Sequence, residues 1–580
     1  MTAPKRQSDP VAFELVRNAL EVLCEEMAAT IVRAAYSPII RHAHDLSTAL
    51  LTPSGDVLAQ GRTIPLHLGS VMPATKAVIA KFRRRMKPED VFIVNDPYEG
   101  GSHLPDVFLI TPIFIKDDVV AYVAAEAHHS DLGGRVPGSN AADSREIYEE
   151  GLRIPPSYLY QGGEPNETLF DLLEKNCRFP RQIMGDLGAQ MAALRVGHEG
   201  FMKLVDRYGF DRLSAHIRDL FEYGEAMARS EIESWPEGVY EFTDWIDDDG
   251  LTDRPLPVRV KITVRADTLV IDYTGTADQV ETAINTPATF VYAAAMTAFR
   301  CALGTDVPHN SGYMKPITLV IPEGTILNPR PPAAVAARVL SAYRAFDATI
   351  GCLAKIVPNR MMACGEGGNA LLTFYGTDAT GKKFILSDIQ LGAWGGRHDR
   401  EGIDGICCPT LSVSNVPVES IERETPLTIE RYEFVPDSGG PGRFRGGMSV
   451  AREYRLGSGK GLVQVRSDRS RIPSYGLFGG NPGGLGHNVL NPGPNQRELE
   501  SKHTTPLAAG DVFLSVLPGA GGWGNPLERD PQSVWSDVRN EKITLAAAAR
   551  DYGTVGDPAG GPDLEGTRLL RERMMGRAGT

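Results

Sequence analysis

The chain has 580 residues and a net charge of −13, which argues against nucleic acid or an anionic membrane surface as its main partner. No apolar run reaches the ~18 residues of a transmembrane helix, and no apolar segment follows the N-terminal charges as it would in a secretory signal. The seven cysteines are scattered without a CxxC pair, which is typical of a reducing compartment. We therefore expect a cytoplasmic protein of several domains, with no nucleic-acid partner and no membrane partner.

The first part of the chain alternates between helical and strand patterns. Asp9 and Pro10 are residue types that begin helices, and the apolar residues that follow recur at the spacing of one helical face. Residues 53–55 form a turn signal between two apolar runs, which predicts a hairpin. In order, we predict a helix from Pro10 to before Pro38, a hairpin at residues 46–60, a short helix at 73–86, a strand at 91–94, and two long strands at 107–115 and 119–127.

Beyond residue 165 the pattern changes. We predict helices at 167–234, strands at 239–273, a helix at 288–303, short strands among many glycines and prolines, a last helix at 530–552 and a mobile tail from 560. No alternating strand–helix–strand series is present, so the fold class is α+β, with several domains, mixed antiparallel sheets, helical hairpins and a Gly/Pro-rich β C-terminal part. The predicted units are an α+β domain at 1–165, a helical segment at 166–235, a central α+β domain at 236–405, a β-rich domain at 406–555 and a flexible tail at 556–580.

Chemistry-bearing residues gather in the stretch NDPYEGGSHLPDV, residues 95–107, between two apolar runs. The two long strands that follow should form an antiparallel hairpin with its turn centred near Asp117. Paired positions in such a hairpin have a constant sum, so Asp106 should face His128, with Cβ atoms ~5 Å apart. His103 lies three residues before Asp106, in a Gly/Pro loop that can fold over the same end. Two imidazoles and one carboxylate would then converge at the open end of the hairpin.

Such a group predicts a divalent metal site, because a neutral imidazole and an ionised carboxylate each offer a lone pair. The stretch RHAHDLSTAL adds a fourth candidate ligand, and by residue type His42, His44 and Asp45 are all possible. The alternative is that Asp106 and His128 form an ordinary buried hydrogen-bonded pair at a sheet end. Short motifs often match by chance, so spacing alone leaves both interpretations open.

Other motifs resemble functional sites but lack part of the pattern. Residues 376–383 fit the first seven places of a Walker A motif, but the last residue is lysine and no helix pattern follows, so we predict a hairpin turn. Residues 519–524 fit GxGxxG without a surrounding crossover unit. The acidic run at 247–250 lacks calcium-loop spacing and is predicted to be a solvated turn. The adjacent Cys407 and Cys408 are expected to be buried structural thiols. The chain therefore has no recognisable ATP site.

Four motifs carry a resemblance to a known family: NDPYEGGSHLPDV, AHHSDLGG, SGGPGRFRGG and AGDVFLSVLPGAGGWGNP. In sequence and order they resemble the hydantoinase B/oxoprolinase family, and the resemblance runs from about residue 10 to residue 555. That family includes β subunits of ATP-dependent N-methylhydantoinases, 5-oxoprolinase halves, caprolactamase, and the metal-bearing subunits of acetone and acetophenone carboxylases. The resemblance therefore implies the metal-bearing subunit of an ATP-dependent enzyme.

The resemblance also implies which residues hold the metal. The ligands that it assigns are Asp45, His103, Asp106 and His128. The choice of Asp45 among the three upstream candidates rests on the family alone. The ion could be zinc, manganese or iron, because this donor set suits all three. His129 and Asp131, which follow the last ligand, are candidates for residues near the substrate.

The resemblance further implies a partner, a hydantoinase A-like subunit with an actin-like ATPase fold that binds ATP and Mg²⁺. That subunit would phosphorylate an amide or enolate oxygen, which removes the resonance that stabilises a lactam or imide C–N bond. The implied function is hydrolysis of a small cyclic amide such as a lactam or hydantoin. One alternative is the corresponding subunit of an ATP-dependent ketone carboxylase, for which the chain is shorter than we expect. Another is a scaffold with a structural metal, but structural zinc sites are usually thiolate-rich.

Overall fold

The computed structural model describes residues 9–304, 307–557 and 560–578. Within these ranges, helices and largely antiparallel sheets make up a mixed architecture without repeated strand–helix–strand units, so the predicted α+β fold class is confirmed. None of the helices in the described ranges is both long and apolar enough to cross a membrane.

The helices of the described residues begin and end largely where capping signals place them. They are α1 Pro10–Ala34, α2 Pro38–Arg41, α3 Pro65–Phe82, α4 Glu167–Asn176, α5 Pro180–Tyr208, α6 Phe210–Glu233, α7 Ala288–Ala302, α8 Val339–Leu353, α9 Val418–Glu424, α10 Pro531–Arg539, α11 Leu545–Tyr552 and α12 Leu564–Ala578. The Asp9 carboxylate accepts a hydrogen bond from the Val11 backbone N–H, as an N-cap should. The helical segment predicted at 167–234 is confirmed as α4, α5 and α6.

The strands form four larger sheets and two two-stranded ones. In chain order they are β1 Leu46–Leu51, β2 Val57–Gln60, β3 Val91–Val94, β4 Asp106–Ile115, β5 Asp118–His128, β6 Ser157–Gln161, β7 Glu164–Pro165, β8 Gly238–Ile246, β9 Leu256–Arg265, β10 Thr268–Asp272, β11 Ile317–Val320, β12 Ala370–Thr377, β13 Lys383–Gln390, β14 Gly392–Ala393, β15 Asp404–Ile406, β16 Leu427–Phe434, β17 Val450–Leu456, β18 Lys460–Arg466, β19 His487–Leu490, β20 Arg497–Leu499, β21 Lys502–Ala508, β22 Val512–Val516, β23 Gly556–Asp557 and β24 Gly561–Pro562. The larger sheets have the orders β2-β1-β5-β4-β3-β6-β7, β11-β10-β9-β8, β13-β12-β18-β21 and β16-β17-β22-β19-β20. Among their pairs, β10 and β11 are parallel.

The seven-stranded sheet is buried on both faces. On one face, Leu109 and Val123 belong to the same apolar core as Leu20 of α1, together with residues of α5. On the other face, Phe108 packs in a second core with Val78 of α3. Strands covered on both sides read as continuous apolar runs, and this is why a carboxylate at the first position of β4 is conspicuous.

The helix predicted at 73–86 begins earlier than expected. It starts at Pro65, and Pro73 lies inside it. Both prolines can occupy the first turn of a helix, so the sequence alone does not decide between the two starts. Leu66 and Val71 in the additional turns are buried, so packing sustains the helix through the internal proline.

The helix predicted at 530–552 is two helices, α10 and α11. The chain leaves the helical path at Asn540 and at Glu541, which has a positive φ of 58°. Thr544 then caps α11, its side chain accepting a hydrogen bond from the Ala547 N–H. A capping residue inside a predicted helix marks the start of a second helix. The apolar spacing continues through this point and therefore did not show that α10 and α11 are separate.

The segment predicted to be a flexible tail forms α12. Leu564 and Leu569 in this helix are exposed, so no apolar face indicated it in the sequence. Polar contacts hold it instead, since the Arg571 guanidinium donates hydrogen bonds to the backbone carbonyls of Tyr552 and Arg529 at 2.9 and 2.8 Å. The tail prediction was therefore wrong for the described residues of this segment.

The acidic run at 247–250, predicted to be a solvated turn, is buried in its first part. Asp247 accepts hydrogen bonds from the backbone N–H groups of residues 470–472. Asp248 lies 3.3 Å from the Lys502 ammonium. These partners follow more than 200 residues later, so no local pattern could have shown them.

The remaining sequence motifs are structural. β12 and β13 pair directly, so residues 376–383 form the predicted hairpin turn. Gly440 lies so close to the 519–524 segment that a Cβ added to it would be 2.6 Å from the Gly522 nitrogen, and the glycines therefore serve close backbone packing. Burial raises the pKa of the Cys407 and Cys408 thiols, so neither is activated as a nucleophile.

One sheet spans a predicted domain boundary. β12 and β13 lie in the predicted central domain and β18 and β21 in the predicted β-rich domain, yet the four strands form a single sheet. The division of the chain into units stays a prediction, and this sheet crosses its boundary at 405–406.

Candidate metal centre

Asp106 and His128 are direct partners across the β4–β5 hairpin. The predicted register is therefore confirmed. A β-bulge between Ile113 and Phe114 shifts the pairing only near the turn. Both Asp106 and His128 are buried, and they lie together at the open end of the hairpin.

The His103 imidazole has a defined proton position. Burial lowers the pKa of this group to about 4, so the ring is neutral at pH 7. Its Nδ1 lies 3.1 Å from the Ala336 carbonyl oxygen, which can only accept, so Nδ1 carries the proton and Nε2 has the lone pair. Nε2 lies 3.0 Å from Asp106 Oδ1, and two acceptors therefore face each other. A cation between them would remove the conflict, and metal-binding histidines commonly donate their other N–H to a carbonyl in this way.

His128 completes the group. Its ring centroid is 5.0 Å from that of His103, and one ligand atom from each ring and one from Asp106 lie within 4.8 Å of one another. The buried Nδ1 of His128 has no hydrogen-bond partner among the described residues. The other ring nitrogen, Nε2, lies 3.3 Å from the Asn140 amide nitrogen, so no carboxylate or carbonyl of the described residues holds this imidazole.

Asp45 is the upstream candidate that the structure places at this site. It is buried and lines the same cavity as His103 and His128, and its backbone carbonyl accepts a hydrogen bond from the His128 N–H at 3.1 Å. His42 is half-buried, His44 is exposed with a positive φ of 60°, and neither is among the described residues that line the cavity. Of the three alternatives left open by residue type, the structure favours Asp45.

Two buried residues beside the predicted ligands were missed from the sequence, His67 and Glu126. His67 Nε2 lies 3.5 Å from Asp45 Oδ1 and 3.9 Å from Asp106 Oδ2, while its Nδ1 lies 2.5 Å from Glu126 Oε2. His67, Asp106 and Glu126 could themselves hold a cation. Strand alternation could have revealed Glu126, since it precedes His128 by two positions on the same face. His67 was missed because the helix that carries it was predicted to begin later.

Arg338 fixes one oxygen of Asp106. Its guanidinium pairs with Asp106 Oδ2, and the Ser102 hydroxyl donates to the same oxygen. The guanidinium also lies over the Phe290 ring, 4.2 Å from its centroid. Asp106 therefore directs Oδ2 toward a cationic side chain and leaves Oδ1 facing His103.

Burial and neighbouring charges set the ionisation of the group. Burial lowers the pKa of His67 and that of His128, so these imidazoles too are neutral at pH 7. Burial raises the pKa of Asp106, but the Arg338 guanidinium outweighs it and holds the pKa well below its usual range. Neutral imidazoles and an ionised carboxylate are the forms that bind metals.

The other two carboxyl groups respond differently. Burial raises the pKa of Asp45 to about 7. Burial raises the pKa of Glu126 well above its ordinary value, and the Asp106 charge adds to the effect. A divalent cation would stabilise the ionised forms of both groups.

The donor set fits a divalent ion. Nitrogen and oxygen ligands without thiolates suit zinc, manganese and iron(II) equally. The cavity has a volume of about 50 Å³, so only a small group can share it with an ion.

His129 and Asp131 are not among the described residues that line this cavity, and their place near a substrate stays a prediction. His129 Nε2 lies 3.0 Å from Gln190 Oε1 on α5, because neighbouring strand residues point to opposite faces. Asp131 accepts hydrogen bonds from the Arg178 guanidinium at 2.9 Å and from the Gly138 N–H at 3.0 Å. Only one histidine of the adjacent pair therefore contributes to the site.

The resemblance seen in four sequence motifs extends over most of the chain. A sequence model of the hydantoinase B/oxoprolinase family matches residues 9–526. The chain belongs to the hydantoinase B/oxoprolinase family. Family membership therefore covers the segment with the candidate metal ligands, the central region and most of the Gly/Pro-rich C-terminal part.

Two similar proteins match this chain along nearly their whole length, and a third shares its fold. A chain assigned as the B component of a D-/L-hydantoinase in Pseudomonas sp. (strain NS671) is 32% identical over 98% of this chain and 98% of its own. The crystal structure of the ATP-dependent caprolactamase from Pseudomonas jessenii is 28% identical and has a TM-score of 0.91, covering 98% of this chain and 100% of that one. A nucleotide-free acetone carboxylase structure, 19% identical with a TM-score of 0.92 over 100% of this chain and 84% of its own, shares the fold.

Proposed function

We propose that the chain is the metal-bearing B-type (β) subunit of an ATP-dependent cyclic amide hydrolase of the hydantoinase or oxoprolinase kind. The proposed metal ligands are Asp45, His103, Asp106 and His128. The proposal is carried by the convergence of two imidazoles and a carboxylate within 4.8 Å, in an arrangement that a cation would relieve. Membership of the family and similarity to the B component of a hydantoinase support the reaction class.

A divalent cation held there would supply Lewis-acid polarisation of a substrate oxygen. The chain's own residues prepare the site for it. Arg338 keeps Asp106 ionised and fixes its orientation. His67, held close to Glu126, lies against Asp45 and limits the positions that this carboxylate can take. Apolar side chains form the rest of the wall and restrict water: Phe290, Val339, Leu371, Ile389, Leu411 and Val413.

We further propose that ATP binds to a hydantoinase A-like partner subunit, which phosphorylates the amide oxygen of a lactam or hydantoin. Phosphorylation removes the amide resonance. Water would then add to the activated carbon at this chain, and the C–N bond would break as the ring nitrogen leaves as an amine. A second water would release phosphate from the resulting acyl phosphate and leave the ring-opened acid. The similar caprolactamase is described as ATP-dependent, and the similar hydantoinase chain as a subunit. The one Walker-like segment here is a β-turn, which agrees with placing ATP elsewhere.

The test is a product assay on the complex of this chain with its co-expressed ATPase partner. The complex would receive Mg-ATP and a panel of lactams, hydantoins and ketones, with and without bicarbonate. We expect phosphate and a ring-opened acid, with no need for bicarbonate. A carboxylated ketone would instead identify the ketone carboxylase alternative. If a metal-loaded complex forms neither product, the result would support the scaffold alternative.

The isolated chain is expected to bind Mg-ATP no better than background. The turn between β12 and β13 offers no helix N-terminus to hold phosphates. Calorimetric titration of the chain without its partner measures this. Lys383→Ser is the matched variant, because it restores the Walker hydroxyl and should still bind no ATP in the absence of the helix. Tight binding by the unmodified chain would contradict the assignment of ATP to the partner.

A further inference from the structure

Arg466 differs from the other buried arginines in the described part of the chain. Six of the seven pair with a carboxylate: Arg338, Arg344, Arg445, Arg452, Arg469 and Arg529. Arg466 is 4% exposed and has no ion-pair partner among the described residues. Burying a charge without a counter-charge costs free energy. The described residues supply no carboxylate that pairs with this guanidinium, so a bound anion could offset the cost.

Neutral groups hold the Arg466 guanidinium beside the candidate metal centre. Its Nη1 donates to the Ala336 carbonyl at 2.8 Å and to Asn140 Oδ1 at 3.1 Å. The same carbonyl lies 3.1 Å from His103 Nδ1, and the Asn140 amide nitrogen lies 3.3 Å from His128 Nε2. Arg466 is therefore one contact removed from each of two proposed metal ligands.

The other edge of the guanidinium is free. Arg466 lines the cavity, and its Nε and Nη2 make no hydrogen bond to any described residue. A purely structural arginine at the end of β18 would need only the Nη1 contacts. A free edge of two parallel N–H groups is the arrangement with which arginine binds two oxygens of a carboxylate or phosphate.

The charge of the completed cavity also favours an anion. Burial lowers the pKa of Arg466 to about 9, and Arg338 adds to the effect, so the group remains cationic at pH 7. Among the described residues that line the cavity, two carry a guanidinium, Arg338 and Arg466, and one carries a carboxyl group, Asp45, so cationic side chains are in excess. Such an excess in a poorly solvated cavity attracts an anionic ligand.

We propose that Arg466 binds an oxyanion group of the ligand and positions the reacting end of that ligand beside the metal ligands. The group is the phosphoryl of an activated substrate or a carboxylate of the substrate itself. The cavity of about 50 Å³ admits such a group but not a whole substrate. The identity of the ligand rests on the proposed function, whereas the anion site rests on the contacts of Arg466.

The experiment is calorimetric titration of the metal-loaded chain with sodium orthophosphate and, separately, with sodium acetate at constant ionic strength. Three variants are compared with the unmodified chain: Arg466→Gln, Arg466→Lys and Lys460→Gln. Lys460 is exposed at the other end of β18, so its variant matches the change in charge without touching the cavity. Metal analysis and circular dichroism confirm that each variant is loaded and folded.

We expect orthophosphate to bind the unmodified chain at least about ten-fold more tightly than it binds Arg466→Gln, the loss expected for one charge-assisted hydrogen bond. Lys460→Gln should bind as the unmodified chain does. Arg466→Lys should be several-fold weaker, because an ammonium lacks the two-pronged edge, and this variant decides the matter if Arg466→Gln does not fold. Arg466-dependent binding of acetate alone would identify a substrate carboxylate as the source of the oxyanion.

Two results would overturn the proposal. Either neither anion binds the unmodified chain, or the unmodified chain and Arg466→Gln bind the anions equally well.

A measurement of thermal stability distinguishes an arginine that binds an anion from one with a purely structural role. Orthophosphate should raise the melting temperature of the unmodified chain and leave that of Arg466→Gln unchanged. These measurements need neither the partner nor ATP. A complex that hydrolyses no amide while its anion binding still depends on Arg466 would count against the proposed function alone.

Discussion

His128→Ala is expected to lose the bound metal and to lower amide hydrolysis by the two-subunit complex roughly 10³-fold, since losing a metal's several kcal/mol of transition-state stabilisation costs about a factor of ten for every 1.4 kcal/mol. The fold should survive, because His128 stands at a strand end and its Nδ1 has no partner among the described residues. ATP turnover by the partner, uncoupled from hydrolysis, should persist. Metal analysis, a product assay and circular dichroism measure the three effects.

His129→Ala is the matched control for this prediction. It removes the neighbouring imidazole from the opposite face of the strand and leaves Gln190 Oε1 without its partner. The expected cost is about 1–3 kcal/mol of stability, with the metal retained. If His128→Ala kept full metal and activity while His129→Ala lost both, the assignment of His128 as a ligand would be wrong.

Asp106→Asn is expected to lower stability even in the metal-free chain. The substitution leaves the buried Arg338 guanidinium without its carboxylate, and removing one partner of a buried ion pair costs about 3–5 kcal/mol. Metal binding should fall as well, because an amide is a poorer ligand than a carboxylate. Thermal unfolding of chelator-treated protein measures the first effect separately from the second.

The double variant Asp106→Asn/Arg338→Met separates the two roles of Asp106. Removing the unpaired guanidinium should restore part of the lost stability, whereas metal binding should stay low. If Asp106→Asn melts at the same temperature as the unmodified chain, the ion pair with Arg338 contributes nothing to the stability of the fold. A double variant that regains its metal would exclude Asp106 as a ligand.

The hairpin part of the site could be predicted from sequence because its geometry is local. Asp106 and His128 are joined by two strands and one short turn, so the position of the turn and a period of two fix their register. Apolar spacing and caps likewise located most helices. Pro65 and Pro73 could each begin the same helix, and the packing of the residues between them determines that it begins at Pro65. Because the sequence prediction began the helix at Pro73, it did not include His67.

The other half of the site depends on contacts between distant parts of the chain. Arg338 follows its partner Asp106 by 232 residues, and Arg466 reaches Asn140 across 326. No periodicity connects such positions, and charge pairing becomes visible only once the elements have packed. The same holds for α12, whose contacts through Arg571 are polar and leave no apolar stripe in the sequence.

Arg338 and Arg466 follow the proposed metal ligands by more than 200 residues in the sequence, which would affect how the protein takes up the proposed ion. During synthesis, the segment that ends with β5 leaves the ribosome with every proposed ligand and with Glu126, but without either guanidinium. An ion that binds at that stage would meet carboxylates and imidazoles without the two arginines. Such a site would select the divalent metal with the highest intrinsic affinity. An ion that arrives after α8 and β18 have docked meets two fixed positive charges and a cavity of set size. If the proposed ligands hold an ion, the choice of metal in the cell would then depend on whether the metal arrives before or after the chain is complete.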